Sequence, residues 1–381
     1  MPNSPAQPGA QQPPIHVTSP TAMIASLPYL VGFIPHDSVV LLFLAEHSNQ
    51  VVVSLRVDLP PVDDAAVEDD VVAMITETVR GSLALEVDLH MAHLVLWHDD
   101  ANASAHRRLV TSLTRSLQDL GIRTGHCLAT DGLAMWDYGP GHSECCTTSG
   151  HTLDGEEVER IRFALVVSEL GFVPSRSALA SSLTPAITLL SEAGFTDARA
   201  MLTTAEFEGF GDDWRREVED DLVAACQRRC DPTELATVGA IWAVALSDAR
   251  VREPLMYRLL QVSPPQERRR GLSNCRAWLT ALTTMTPEPY QPAVAATLAA
   301  VTWQLGDGAF ATIAAEKALS TQPNNSLARI VQASAKSGVP PQKWHAILDS
   351  IGLAQLRGTQ QADQDSARVD PRDPLAWPTA S

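Results

Sequence analysis

The stretch from Ala293 to Ala328 constrains the fold of this chain strongly, because it predicts two helices joined by a tight turn. It reads AVAATLAAVTWQLGDGAFATIAAEKALSTQPNNSLA, and its apolar residues recur at the three- and four-residue spacing of helices. A glycine-rich turn interrupts this pattern, and a polar run ends it. The small residues and the closing proline stand at the offsets of a tetratricopeptide-like helical hairpin: Ala299, Gly306, Ala311, Ala318 and Pro323. Such a hairpin indicates a helical architecture that binds a partner, and it implies no reaction.

The charge and hydropathy of the chain narrow the classes of partner that we expect. The 381 residues include 28 Lys and Arg against 45 Asp and Glu, for a formal net charge of −17. A nucleic-acid surface needs a concentrated basic face, so this balance argues against nucleic acid as a partner. No apolar run approaches the length of about 20 residues that spans a bilayer, so we expect no membrane partner. The N-terminus has no export signal and the six Cys have no framework spacing, which together predict a cytoplasmic protein with reduced thiols.

Two regions with different hydrophobic patterns predict two domains, as the length of the chain also suggests. From residue 18 to 150, apolar strand patterns such as Ser38–Ala45 alternate with helical ones. We therefore expect an α/β N-terminal domain with a mixed sheet and flanking helices. From residue 151 to 352 the strand patterns fade, and we expect an all-α helical domain that contains the tetratricopeptide-like hairpin. The Pro- and Gln-rich residues 1–17 and the polar, Pro-rich residues 353–381 are predicted to be disordered.

Helical periodicity in the second half predicts a series of helices separated by short turns. These helices are expected near residues 156–170, 177–193, 207–229, 233–247, 253–260, 265–284, 292–305, 309–320 and 326–337, followed by a short helix around Trp344. Stacked helices of this kind present a groove to a protein or peptide partner.

Several phrases of the sequence, taken in order, point to a known family. They are LPYLVGF at 27–33 with Pro35 and Asp37-Ser38; Cys145-Cys146 with Gly150; Trp303 with Gly306-Asp307-Gly308; Ala318-Leu319 with Pro323; Ser326-Leu327-Ala328; and Gly338-Val339-Pro340-Pro341 with Trp344. Over roughly residues 18–350 the chain thereby resembles the uncharacterised actinobacterial family called domain of unknown function 4192. The resemblance implies an α/β half followed by a helical half, and it implies no activity.

The vicinal pair Cys145-Cys146 is the candidate metal site. His142 and His151 flank the pair in the pattern H-x2-C-C-x4-H. Thiolate and imidazole are ligands that zinc prefers, and four of them can enclose the ion in a tetrahedron. The alternative is a turn-rich loop with two small, partly buried thiols, because adjacent Cys side chains seldom point at one ion.

A second candidate lies where the chain enters the first strand, at His36-Asp37-Ser38. Consecutive side chains diverge, so these three residues cannot form a catalytic triad. Ligands of α/β sheets bind at strand ends, and we therefore expect Asp37, Ser38 and Asp58 to contribute to a ligand site there. The alternative is turn chemistry led by Pro35, in which Asp37 or Ser38 caps backbone amides.

Taken together, the sequence favours a non-catalytic cytoplasmic protein that binds an unknown protein or peptide partner through its helical half. It calls for no cofactor. One alternative is an enzyme with a site at the edge of the α/β sheet or in an interdomain cleft. The other is a metal- or redox-responsive regulator centred on Cys145-Cys146. A solvent-facing apolar groove on the helices would favour the binding protein, whereas a deep pocket with converging polar groups would favour the enzyme.

Overall fold

The computed structural model of the protein describes most of the chain between residues 19 and 358. The described ranges are 19–46, 51–61, 64–99, 106–138, 150–167, 171–185, 190–228 and 230–358. These residues cluster into two compact units. The α/β unit extends to Leu179 and includes Lys336–Val339, and the helical unit comprises Ala180–Ala335 together with the residues from Pro340 onwards. The predicted disordered segment 1–17 lies outside the described residues, as do residues 359–381.

A six-stranded mixed sheet forms the centre of the α/β unit. Its strands are β1 (Ser38–Leu44), β2 (Val51–Asp58), β3 (Met91–Trp97), β4 (Arg123–Thr130), β5 (Ala134–Asp137) and β6 (His151–Thr152). They lie in the order β2-β1-β3-β4-β5-β6, and β3 and β4 pair in parallel while the other neighbours pair antiparallel. The parallel pair requires a crossover, and a helix supplies it.

Helices cover both faces of the sheet. The helices of this unit are α1 (Pro20–Val31), α2 (Ala65–Ala84), α3 (Arg107–Asp119), α4 (Gly155–Val167) and α5 (Arg176–Ser181), of which the last extends past the boundary of the unit. Helices α2 and α3 bury Ile75 and Leu113 against Leu41 and Leu94 of the sheet, and α1 packs against α4 and contacts β2 and β4. All seven residues of β1 are buried, as expected for a strand covered on both faces.

The helical unit is built around a central helix. Its helices are α6 (Glu192–Phe207), α7 (Gly211–Gln227), α8 (Pro232–Leu246), α9 (Ala249–Leu260), α10 (Pro265–Met285), α11 (Gln291–Gln304), α12 (Gly308–Thr321), α13 (Ser326–Lys336), α14 (Pro341–Ile351) and α15 (Leu353–Arg357). All fourteen residues of α11 are buried, and α11 packs closely along α12. Ala299, Ala311 and Ala318 are fully buried, as small residues at a helix crossing should be. The predicted fold class, an α/β domain followed by helices, is confirmed.

One predicted helix is wrong. The sequence analysis places a single helix over residues 177–193, whereas α5 ends at Ser181 and α6 begins only at Glu192. One long-range and one local hydrogen bond explain the start of α6. The Leu190 amide donates to the carbonyl of Met285 (2.9 Å), and the Ser191 hydroxyl accepts from the Gly194 amide (3.2 Å) as the N-cap of α6.

None of the helices in the described part of the chain combines the length and the apolar character that crossing a bilayer requires.

Candidate functional site

The sheet topology brings the predicted ligand-site residues together at one edge of the α/β unit. Strand β1 runs antiparallel to β2 and β3, so its first residue lies beside the last residues of both neighbours. Ser38 stands opposite Asp58 on one side and Trp97 on the other. Asp37 directly precedes this position, and its carbonyl accepts a hydrogen bond from the Leu59 amide (2.8 Å). This edge also holds the carboxyl ends of the parallel strands β3 and β4.

A chain of polar contacts joins Ser38 to Asp58 through Arg56. The buried Ser38 hydroxyl donates to the carbonyl of His36 (2.8 Å) and accepts from Arg56 Nε (2.8 Å). Arg56 Nη2 then pairs with Asp58 Oδ1 at 2.5 Å. The Asp58 side chain is 83% exposed, while that of Arg56 is only 19% exposed. The contacts therefore run from the interior of the sheet edge to its surface.

This geometry determines what the sheet edge can do chemically. The Ser38 proton points at a backbone carbonyl, which is not a general base, so Ser38 has no activated hydroxyl in this arrangement. The half-exposed His36 imidazole lies 3.8 Å (Nδ1 to Oδ1) from the exposed Asp99 carboxylate. The sheet edge therefore offers carboxylates and an imidazole for hydrogen bonding to a ligand. A ligand-binding role for Asp37, Ser38 and Asp58 stays a prediction.

Two buried polar side chains lie near the same sheet edge without a hydrogen-bond partner among the described residues. The indole Nε1 of Trp97 is one, and the two ring nitrogens of His106 are the other. His106 is 5% exposed, and its ring centroid lies 5.8 Å from that of His98. Burial lowers the pKa of His106, with the nearby His98 adding to this effect and Glu68 opposing it. Buried polar groups are normally hydrogen-bonded, so a ligand at this edge can supply the bonds that these two side chains lack.

The predicted metal site falls mostly outside the described residues. This applies to His142, Cys145 and Cys146. The fourth residue, His151, begins the edge strand β6 and is exposed. Within the described ranges, no three His, Cys, Asp or Glu side chains are placed to hold one ion. The metal site centred on Cys145-Cys146 stays a prediction.

The helical unit carries an open groove between α6 and the start of α7. The groove has a volume of about 530 Å³. Six of its residues recur at three- and four-residue steps and so share one face of α6: Asp197, Ala200, Met201, Thr204, Ala205 and Glu208. Phe210 and Trp214 from the start of α7 complete the lining. The lining thus combines small side chains with larger apolar ones and has an acidic residue at each end of the α6 face.

Bulky apolar side chains stand in solvent around this groove. Phe210 is 57% exposed and Met201 is 49% exposed. Phe207, at the end of α6, is 92% exposed. Single exposed apolar residues are ordinary on protein surfaces, but a cluster beside a concave surface is typical of an interaction site.

Comparison with known proteins adds a family assignment. Residues 20–342 match the family model described as Domain of unknown function (DUF4192). The chain belongs to this family. The resemblance expected from the sequence is confirmed, and in this DUF4192 member both the sheet edge and the α6–α7 groove lie within the matched residues. No curated protein and no solved structure matches the chain.

Sequence reasoning missed the groove of this DUF4192 protein because it missed α6. The signals present were the N-cap residue Ser191 and a face from Asp197 to Glu208 that includes small residues. Gly194 and several Thr obscured these signals, because both residue types have low helix propensity. His106 was also missed. Its only signal was a second histidine eight residues after His98, in the connection that follows a buried strand.

Proposed function

We propose that this DUF4192 protein is a non-catalytic binding protein whose helical unit docks a segment of a partner protein in the α6–α7 groove. The observation that carries the proposal is the exposure of Met201, Phe207 and Phe210 beside a concave surface whose lining includes small residues. Leaving such side chains in water costs free energy that a partner recovers when it covers them. A solvent-facing apolar groove on the helices favours a binding protein over an enzyme.

The groove replaces the tetratricopeptide-like hairpin as the proposed docking surface. Every residue of α11 is buried, so this helix serves as the core of its unit. Its partner α12 buries Phe310, Ile313 and four alanines. The hairpin therefore belongs to the interior of the helical unit, and we place binding on α6 and α7.

An enzyme or small-ligand protein with its site at the sheet edge is the second candidate. It is favoured by the unpartnered ring nitrogens of His106 and the unpartnered Nε1 of Trp97 among the described residues. Both lie near the carboxyl ends of parallel strands, where α/β sheets bind ligands. A ligand that supplies the missing hydrogen bonds would raise the Tm of the wild-type protein. The same ligand would leave the Tm of H106F unchanged.

Site-specific photo-crosslinking in the host cell tests the binding function. A benzophenone amino acid replaces Phe210 in one full-length protein and Phe163 in another. Phe163 is a suitable control because it is 72% exposed but lies on α4 of the α/β unit. We expect a discrete protein adduct from position 210 that position 163 does not give. Equal adducts at both positions, or none at 210, would contradict docking in the groove.

A further inference from the structure

The charge pattern of the groove defines its partner more closely. The groove face of α6 begins with Asp197 and ends with Glu208, and both carboxylates are exposed. Neither makes an ion pair within the described part of the chain. On a helix these residues are separated by about 16 Å, since eleven steps of 1.5 Å lie between them. The groove thus has a negative charge near each end and an apolar middle.

The one basic residue of α6 lies away from this face. Arg199 follows Asp197 by two positions, which places it about 200° around the helix from that residue. Arg215, the first cation of α7, is also unavailable to a partner. Arg215 is buried and is bound by Glu206, Asp212 and Asp248. Because no described cation lines the groove, a partner with positive charges near both ends is complementary to it.

The backbone of the groove favours a helical occupant. Both of its walls are helices, so an extended segment finds no strand edge to pair with. A helix satisfies its own backbone groups and presents only side chains. The small side chains of Ala200, Thr204 and Ala205 allow such a helix to approach closely. A length of about 16 Å corresponds to about three helical turns.

We propose that the α6–α7 groove receives a basic amphipathic helix of a partner protein, about three turns long, with Lys or Arg near each end and a bulky apolar residue between them. This inference rests on the proposed function. The apolar residue contacts Met201 and Phe210, and the two basic residues meet Asp197 and Glu208. The acids select the partner by charge, and the apolar contact supplies most of the affinity.

A displayed library of alanine-based helical peptides tests the proposal on the full-length protein. Two positions about three turns apart vary among Lys, Arg, Glu, Asp and Ser, and the positions between them on the same face vary among Leu, Phe, Met and Ser. Selected peptides are then measured by fluorescence anisotropy against four protein variants. D197N/E208Q removes both charges, and E192Q is the matched control because Glu192 is exposed on α6 outside the groove lining. F210S removes the apolar side chain at the N-cap of α7, where Ser is favoured, and F163S is its control.

We expect the selection to enrich Lys or Arg at both ends with a bulky apolar residue between them. Binding should weaken about fivefold in D197N/E208Q, as expected for two exposed ion pairs, and stay unchanged in E192Q. F210S should abolish binding that F163S retains, with the Tm of each variant showing that it is folded.

If binding needs Phe210 but the end positions show no basic preference, the charge rule is overturned and the docking function stands. If no enriched peptide depends on Phe210, both proposals fail. Self-association that F210S abolishes would identify a second copy as the occupant and overturn the partner assigned here.

Discussion

The imidazole of His93 is held in its neutral form by its surroundings. The side chain is 7% exposed, and its Nδ1 accepts a hydrogen bond from the His126 amide (2.8 Å). The rings of His93 and His126 stack with their centroids 5.3 Å apart. Burial, with a smaller contribution from His126, lowers the pKa of His93 to about 4. A proton on this ring would lack solvation and would remove the acceptor that the amide uses.

We predict that His93 makes the protein less stable in acid. Above the ordinary histidine pKa of about 6.5, the ring is neutral in both the folded and the unfolded chain, and the full stability is present. Between about 6.5 and 4, the unfolded chain binds a proton that the folded chain refuses, so the free energy of unfolding falls with falling pH. The loss from this residue should reach roughly 3 kcal/mol and level off below its folded pKa. Urea unfolding at a series of pH values measures this slope.

H93N is the matched variant, because an amide can accept the same hydrogen bond and does not titrate in this range. Its stability in neutral solution will be lower, but its slope between pH 6.5 and 4 should be flatter than that of the wild type. H151N, which changes an exposed histidine, should keep the wild-type slope. Parallel slopes for H93N and the wild type would show that His93 is not the group responsible.

Ser38 provides a second prediction at this scale. In S38A the Arg56 Nε loses its acceptor while the guanidinium stays largely buried over the Phe33 ring. We expect the free energy of unfolding to fall by about 1–2 kcal/mol, as for an unsatisfied buried donor. D58N, which changes the exposed end of the same chain of contacts, should cost less than about 1 kcal/mol. Equal losses in the two variants would argue against the buried hydrogen bond as the main stabilising contact.

At the scale of the elements, local sequence patterns were sufficient to predict a helix or a strand wherever burial follows a simple period. The run Ser38–Leu44 is apolar throughout because both faces of β1 are covered, and this makes it recognisable as a strand. The hairpin of α11 and α12 was recognisable from its alanines and from the turn at Gly306, whose φ of 84° suits glycine. Helix α6 was not recognisable from the sequence. Its start is fixed by a hydrogen bond from the Leu190 amide to the carbonyl of the distant Met285, and a local pattern does not show such a contact.

The candidate sites also differ in how far the sequence predicts them. Asp37 and Asp58 adjoin strands that the sequence reveals, so their approach at one edge follows from antiparallel pairing. The unpartnered state of His106 depends on which side chains pack around it in three dimensions, and no local pattern encodes that. The groove depends on the angle at which α7 leaves α6. Tertiary features of this kind are not contained in hydrophobic periodicity.

The α11–α12 hairpin should not tolerate a larger side chain at its contact. Ala311 has no exposed surface, so A311L must displace its neighbours. We expect a loss of about 1–3 kcal/mol in the free energy of unfolding, measured by urea denaturation. S320L adds the same side chain to an exposed position of the same helix and should change stability by less than about 0.5 kcal/mol. Similar effects of both substitutions would mean that the hairpin is loosely packed.

At the scale of the whole molecule, one buried acid connects distant parts of the chain. Glu219 on α7 is only 1% exposed and binds two guanidinium groups. Arg258 of α9 donates through Nη1 at 3.0 Å. Arg357 of α15 donates through Nε at 3.0 Å and through Nη2 at 2.8 Å, in a bidentate pair. One carboxylate thus links the last described helix to two helices about a hundred residues or more before it, within the helical unit.

This carboxylate should be essential to the stability of the helical unit. E219A leaves two partly buried guanidinium groups without their shared partner, and we expect a loss of about 3–5 kcal/mol in the free energy of unfolding. D220A is the control, because Asp220 contacts the same Arg258 but is 66% exposed, and it should cost less than about 1 kcal/mol. Adding R357A to E219A should cost far less than R357A costs in the wild type, since the interaction is already absent. Urea unfolding of the wild type, E219A, R357A and E219A/R357A completes this double-mutant cycle. Strictly additive losses would show that Glu219 and Arg357 are not coupled.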